Sequence, residues 1–484
     1  MRCAACVLWF AIGCGPSDEA DTSDPPLAGE IRIAKISLNQ AVEVPLAIGG
    51  VPAAKSSPIV EGRPGLLRVM VEPEPGFTPR EVTARLRMEP SGKVQTQVRT
   101  ISSASVPADL ETSFQFELSA SELGPDAAFA LSLHGEAGKS SAPPRYPRTG
   151  SAALEPQSSG AALSLVLVPA RYLADGSSRL PELGAEQLAR YRETLFSLYP
   201  AREVEVRLRE PADFDTALSP SGEGWSDYLA WLLYVRNQDS LAGRARADEY
   251  YYGLVAPADS RAAYCGSSAV CVLGLSSASA EPNDVLTRGS VGVGFAGQDS
   301  ADTLAHELGH AHGRKHSPCA PLGFIQDVDP SYPHPDGEIG VWGYDLLHAA
   351  LVDPAGPHRD FMGYCAPSWV SDYTFGALFE RMRAVDSAGG GGGGSLAMRL
   401  FAVDAHGVAS RGRKLRVASV PRGEQRSVEI LRANGQVDRQ ETGVFQPLTH
   451  LAGGILWLPE PRAGDRAFRF RGSTVAWENP LLSR

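Results

Sequence analysis

The sequence has no run of basic residues. Its 484 residues carry 45 Lys and Arg against 56 Asp and Glu, which gives a formal net charge of −11. A protein that neutralises phosphates needs a concentrated positive patch, and so does one that binds an anionic membrane surface. We therefore expect neither nucleic acid nor an anionic membrane surface as the main partner.

The apolar run near the start of the chain lacks the length of a membrane-spanning helix. A basic residue precedes this run, Ala4–Ile12, as in an export signal. The segment Ala11–Cys14 resembles a bacterial lipobox, which implies cleavage before Cys14 and lipidation of that cysteine. We predict an exported bacterial lipoprotein at the cell surface or outer membrane, with membrane contact only through this anchor. The alternative is signal cleavage without a lipid, followed by secretion.

Cysteine is scarce and unevenly distributed. The chain has 7 cysteines, and none lies between Cys14 and Cys265. Those left after the signal and Cys14 are Cys265, Cys271, Cys319 and Cys365. No pair of them has the CxxC spacing typical of a metal site, and an even number in an exported protein favours disulfides. We therefore expect two disulfide bonds.

The pattern of apolar residues changes along the chain, and the length itself indicates two or three domains. The first part alternates apolar and polar positions with period two, as at Leu67, Val69 and Val71, which predicts strands of an antiparallel β-sandwich. The middle part mixes apolar strands such as Leu163–Val168 with amphipathic helices, which predicts an α/β or α+β fold. The end of the chain, with a hairpin turn at Asn434-Gly435, predicts a second β-domain.

These changes give a division into seven segments. We predict a signal peptide at 1–13, an acidic flexible tether at 14–28, an all-β sandwich-like domain at 29–138, a linker at 139–160, an α/β (α+β) domain at 161–386, a glycine-rich linker at 387–395 and a C-terminal all-β sandwich-like domain at 396–484.

The middle domain contains the string His306-Glu307-Leu308-Gly309-His310-Ala311-His312-Gly313-Arg314-Lys315-His316. On a helix, positions i and i+4 share a face, so His306 and His310 can bind one ion. Gly313 permits a positive φ, so the helix can end there and His316 can return as a third ligand. Three protein ligands with one open position are typical of catalytic zinc. His312 lies on the wrong face and is excluded as a ligand.

The pattern HExxHxxGxxH followed by a methionine resembles the metzincin clan of zinc peptidases. The methionine candidate is Met362, in the Met-turn Asp360-Phe361-Met362-Gly363-Tyr364-Cys365. The resemblance implies a mixed twisted sheet with an active-site helix, and it implies Zn²⁺ as the cofactor. The resemblance also implies that Glu307 is the general base, that Met362 forms an apolar floor beneath the metal, and that Tyr364 donates a hydrogen bond to the oxyanion.

The subfamily stays open. The serine directly after the third histidine, Ser317, resembles the pattern of the matrixins. The Met-x-Tyr spacing of Met362 and Tyr364 instead resembles the pattern of astacins and serralysins. Large secreted mucin-degrading bacterial metzincins are a further comparison. Because no cysteine lies between Cys14 and Cys265, we expect the first β-domain to be an accessory module and not a propeptide with the cysteine switch of the matrixins. Because the segments after the third histidine and in the Met-turn should converge near the zinc, we predict the disulfide Cys319–Cys365, and Cys265–Cys271 as a short loop.

We conclude from the sequence that the chain is a zinc-dependent endopeptidase. Its predicted substrates are peptide bonds of extracellular proteins or glycoproteins, and we expect a monomer. One alternative is a surface-anchored binding or adhesion lipoprotein with a degenerate peptidase domain. Another is a zinc hydrolase that acts on a substrate other than a peptide.

Overall fold

A computed structural model describes residues 25–268, 271–277, 281–282, 284–319, 326–387, 396–410 and 412–477. The predicted signal peptide, Cys14, most of the acidic tether and the run of six glycines lie outside these ranges. The protein is multidomain and mostly β, with few helices. Among the helices in these ranges, none combines the length and the apolar character needed to cross a bilayer.

The N-terminal β-domain consists of two antiparallel sheets, ordered β2-β1-β4-β7 and β10-β8-β5-β6. Alternate residues of both sheets point inward and form one apolar core, as the period-two pattern predicts. Its strands are β1 (Ile31–Asn39), β2 (Ala41–Ile48), β3 (Val51–Pro52), β4 (Gly65–Pro73), β5 (Arg80–Glu89), β6 (Val94–Ile101), β7 (Phe114–Leu118), β8 (Ala128–His134), β9 (Arg145–Tyr146) and β10 (Ala152–Ala153).

The segment 139–160, predicted as a linker, is integrated into this domain. Its strands β9 and β10 both pair with β8. Each strand has only two residues, so no alternation of apolar and polar positions could reveal them in the sequence. Their backbone groups are satisfied by the sheet, and the first domain therefore extends close to the start of the middle domain.

The middle domain is built on a mixed sheet ordered β12-β11-β14-β16-β15, with β13 also beside β11. Its elements are β11 (Leu163–Tyr172), α1 (Ala185–Leu198), β12 (Val204–Leu208), β13 (Ala212–Phe214), α2 (Trp225–Leu241), β14 (Tyr250–Val255), α3 (Arg261–Cys265), β15 (Gly274–Ser276), β16 (Gly289–Val293), α4 (Gln298–Ala311), β17 (Gly343–Asp345), β18 (Ala350–Val352), β19 (Arg359–Asp360), β20 (Ser368–Trp369) and α5 (Asp372–Ser387).

Helices cover both faces of this sheet. Strands β11, β12, β14 and β16 are parallel, and β15 is the antiparallel edge strand beside β16. Helices α1, α4 and α5 share one apolar core with the sheet, and α2 lies in the core on the other face. Burial on both faces explains why the central strand β14 is apolar and aromatic throughout.

The contacts between the N-terminal β-domain and the middle domain include a shared sheet and a buried arginine. The hairpin β17–β18 extends the first sheet, because Gly343 pairs with Val42 and Tyr344 with Ala41. This pairing was not predicted, since it joins strands that are far apart in the sequence. The second contact is Arg63, which is buried and donates to carbonyl oxygens at the end of α1, those of Phe196, Tyr199 and Ala201.

The guanidinium of Arg63 thus satisfies carbonyl groups that a helix leaves unpaired at its C-terminal end. Burial lowers its pKa to about 9, which leaves it charged at neutral pH. The two domains are therefore joined by a sheet and by a buried cation, and not only by a flexible connection.

The C-terminal β-domain is a single antiparallel sheet ordered β22-β21-β25-β24-β23-β26-β27. Its strands are β21 (Leu396–Val403), β22 (Arg413–Val417), β23 (Glu424–Leu431), β24 (Val437–Pro447), β25 (Gly454–Pro459), β26 (Ala467–Phe470) and β27 (Ser473–Ala476). The predicted all-β character of this domain is confirmed, whereas the predicted sandwich-like arrangement is wrong because its strands form one sheet. The sheet curls around an apolar core of its own, and its other face packs on α2 of the middle domain.

Candidate metal centre

Helix α4 carries the first two histidines of the HExxH string. His306 and His310 are both buried, and their Nε2 atoms lie 3.1 Å apart because they are one helical turn apart on the same face. The helix ends at Ala311, and Gly313 follows with φ of 81°, a conformation that glycine adopts without strain. The chain then reverses and brings Nε2 of His316 to 3.1 Å from Nε2 of His310.

The three rings are held in an orientation suited to a cation. Each Nδ1 lies 2.5 to 2.8 Å from a backbone carbonyl oxygen, those of Phe361, Arg314 and Gln326 respectively. A carbonyl oxygen only accepts, so each Nδ1 carries the proton and each Nε2 keeps its lone pair. Three lone pairs this close repel one another unless a cation lies between them. The donor set therefore fits a metal ion.

Burial keeps these imidazoles neutral. It lowers the pKa of His306 to about 4 and that of His316 to about 2, and it lowers the pKa of His310 well below the usual value. Neighbouring histidine rings lower the pKa values of His310 and His316 further. Only the neutral imidazole binds a metal, so these side chains are in the ligating form at neutral pH.

Glu307 lies beside the histidine cluster and against the edge strand β15. It is buried, and its Oε2 atom has no hydrogen-bond partner among the described residues. Gly274 of β15 leaves room for it, since a Cβ there would lie 2.6 Å from the Glu307 side chain. The backbone carbonyl of Glu307 accepts a hydrogen bond from the hydroxyl of Ser290 at 2.9 Å. The carboxylate is thus fixed in place with one oxygen available for a small polar molecule.

Met362 lies beneath the helix at Gly309, between the two helical histidines. A Cβ at Gly309 would lie 2.3 Å from the Met362 sulfur. The turn that carries Met362 is held by Asp360, whose buried carboxylate accepts from the backbone N–H groups of Met362 and Ser371 at 2.9 Å. The methionine therefore fits the apolar floor expected of a Met-turn, and glycine at position 309 is required by this close packing.

This packing predicts that Gly309→Ala destabilises the protein. Overpacking typically costs about 1–3 kcal/mol, and alanine's better helix propensity offsets up to about 1, so we expect a net loss on the order of 1 kcal/mol. Gly376→Ala in α5 is the matched control, because the nearest atom to its added Cβ is 4.0 Å away. Urea unfolding of both variants and the parent measures the difference. Equal stability of the parent and Gly309→Ala would show that Met362 moves aside at no cost.

Tyr364 and one of the two disulfides lie next to the cluster. The Tyr364 ring centre is 5.0 Å from that of His316, and partial burial together with the charge of Glu307 raises the pKa of its hydroxyl. The backbone N–H of Tyr364 donates to the carbonyl of Cys319 at 2.9 Å. The disulfides are Cys319–Cys365 and Cys265–Cys271, the pairs predicted from the sequence. The first of them ties the segment after the third histidine to the Met-turn.

One histidine of the string stays outside the cluster, and one from elsewhere joins it. His312 stacks on Tyr250 with ring centres 4.1 Å apart, and its Nδ1 donates to the Leu308 carbonyl at 2.8 Å, in agreement with its exclusion as a ligand. His450 of the C-terminal β-domain completes a group of four histidines whose ligand atoms lie within 4.8 Å of one another. The sequence offered no signal for His450, a lone histidine between two strands.

Comparison with known proteins agrees with the position of this centre. A sequence model of the family described as Peptidase M66 matches residues 279–397, a range that contains α4, His316 and Met362. The match supports a metallopeptidase family and a peptidase function for this part of the chain. His450 lies outside the matched range. No curated protein shows significant similarity to the chain.

Proposed function

We propose that the protein is a zinc-dependent endopeptidase of the metzincin type, with His306, His310 and His316 as the metal ligands and Glu307 as the general base. The observation that carries this proposal is the convergence of three neutral imidazole Nε2 atoms, all with their lone pairs inward, beside a buried carboxylate. Three nitrogen ligands suit zinc, which accepts imidazole readily and in catalytic sites keeps one position for water.

The chemistry divides between the metal and the protein side chains. When bound, zinc would polarise the scissile carbonyl and acidify a water molecule at its remaining position. Glu307 accepts the proton of the attacking water on its unpaired carboxylate oxygen and later delivers it to the leaving amine. Tyr364 is close enough to His306 and His316 for its hydroxyl to donate to the oxyanion. The carbonyl acceptors on each Nδ1 hold the three ligand rings in orientation.

The proposed substrates are proteins or glycoproteins outside the cell. The two disulfides support an oxidising compartment, which agrees with export by the predicted signal. Anchoring through Cys14 stays a prediction, since that residue lies outside the described part of the chain. The edge strand β15 borders the cluster, and an extended peptide could pair with such an edge next to Glu307.

The test is to measure zinc content and casein cleavage on one preparation of the full chain. We expect about one zinc per chain, because one such centre is present. Removal of zinc by a chelator should abolish cleavage, and added Zn²⁺ should restore it. Full cleavage with the metal stripped would contradict the proposal. Bound zinc with no cleavage, in the parent and in His450→Ala alike, would instead favour a binding protein or a hydrolase of another substrate.

A further inference from the structure

The loop between β24 and β25 of the C-terminal β-domain lies along the edge strand β15. Leu448 forms an antiparallel bridge with Ser277, and the backbone N–H of Thr449 donates to the carbonyl of Ser276 at 3.2 Å. The Thr449 hydroxyl also accepts from the backbone N–H of Ser276 at 3.3 Å. Within the described residues the sheet ends at β15. The loop therefore occupies the position at which an extended substrate would add to the sheet.

This loop carries His450 onto the open side of the three-histidine cluster. The centre of its ring is 5.3, 4.8 and 4.9 Å from those of His306, His310 and His316. The three rings are themselves 4.6 to 5.3 Å apart. All six separations are thus similar, as they are for four groups at the corners of a tetrahedron. Tetrahedral coordination is the arrangement that zinc prefers in closed protein sites.

The contacts of the His450 ring match those of the other three. Its Nδ1 lies 2.6 Å from the hydroxyl of Tyr364, which can accept a hydrogen bond. Its Nε2 lies 2.9 Å from Oε1 of Glu307 but out of line for a hydrogen bond, and it has no other partner in the described residues. The side chain is only 10% exposed. A buried nitrogen that makes no hydrogen bond, in a group of histidines whose ligand atoms lie within 4.8 Å of one another, is costly unless a cation is there.

We propose that His450 is a fourth ligand of the metal, and that the loop holding it blocks the substrate edge, so that this conformation is a latent form of the enzyme. The proposal rests on the proposed function. A site with three protein ligands is open to water and substrate, whereas a fourth ligand closes it. In the closed form His450 also lies against Glu307, where the attacking water would need to be.

The C-terminal β-domain is placed to hold this loop. Its sheet shares an apolar core with α2, and Asn237 of that helix donates to the carbonyl of Arg416 at 2.7 Å. Leu451, next to His450, packs closely on Gly222, where an added Cβ would lie 2.6 Å from it. Activation would thus require withdrawal of the loop and not rearrangement of the ligands on α4.

The decisive comparison is between His450→Ala and His406→Ala in the full chain. His406 is in the same domain and its side chain is 85% exposed, so it serves as the matched control. Three measurements are made: zinc transfer to a chelating dye, the visible spectrum of the Co²⁺-substituted protein with and without acetohydroxamate, and cleavage of a quenched fluorescent peptide.

We expect His450→Ala to release zinc faster by more than the about 10- to 100-fold that loss of an outer-shell partner costs. Its Co²⁺ spectrum should differ from the parent and respond to acetohydroxamate, which needs an open position. Because a minor open state is typically about 0.1–10% populated, peptide cleavage should rise by about 10- to 1,000-fold. His406→Ala should behave as the parent does in all three measurements.

A second variant tests the contact of the loop with β15 independently of the His450 side chain. Thr449→Val removes the hydroxyl contacts with Ser276 but keeps His450, so cleavage should rise while the Co²⁺ spectrum still shows four nitrogen ligands. Parent-like zinc release and cobalt spectrum in His450→Ala, with cleavage reduced, would overturn the proposal and make His450 a catalytic group. Absence of zinc from the parent and from both histidine variants would overturn the proposed function itself.

Discussion

Glu307→Gln is expected to leave zinc bound and to lower peptide cleavage by about 10²–10⁴-fold, the usual effect of losing a general base. Glutamine has nearly the same size, so the packing against Gly274 is kept. Its amide cannot accept the proton of the attacking water. Since the three histidines do not depend on the Glu307 side chain for their hydrogen bonds, the metal site should stay intact.

The measurement is zinc stoichiometry and cleavage rate on the same preparation, in the parent chain and again with His450→Ala. The measurement with His450→Ala is needed because a closed cleft already slows cleavage by the parent chain. That slow rate would hide the effect of losing the general base. Asp302→Asn on the same helix is the matched control, since Asp302 contacts Gln298 and not the cluster. Cleavage by Glu307→Gln at the parent rate would refute the assigned mechanism, and loss of zinc would show that Glu307 has a structural role.

His310→Ala is expected to abolish both zinc retention and cleavage. His310 is the central one of the three proposed ligands, because its Nε2 lies 3.1 Å from those of both His306 and His316. Loss of a direct ligand should weaken zinc binding by more than the about 10- to 100-fold that loss of an outer-shell partner costs. Without the metal, neither the water nor the scissile carbonyl is activated.

His312→Ala is the control for this variant. It removes an equally buried imidazole two residues away, but one that stacks on Tyr250. This change should lower the free energy of unfolding while leaving about one zinc per chain. Metal content measured after dialysis, with thermal unfolding of the same samples, separates the two effects. Retention of a full zinc equivalent by His310→Ala would mean that the cluster binds no catalytic ion.

Much of the site could be predicted because its geometry is local. The pairing of His306 with His310 follows from the helical period alone, and Gly313 supplies the turn that returns His316. The alternation of apolar residues likewise predicted the strands of the N-terminal β-domain. The active-site helix expected at the HExxH string is α4, which runs from Gln298 to Ala311 and carries both His306 and His310.

Three features were decided only by the tertiary structure. These are the curling of the C-terminal β-domain into one sheet, the addition of β17–β18 to the N-terminal sheet, and the position of His450 over the metal ligands. Each depends on contacts between segments far apart in the chain, and such contacts leave no periodic signal in the residues that make them. The sequence by itself determined which residues are the proposed ligands and base, because the helical period and the turn at Gly313 bring the three histidines together beside Glu307. The packing of the third domain decided whether that centre is open, since only this packing brings the loop of His450 to the cleft.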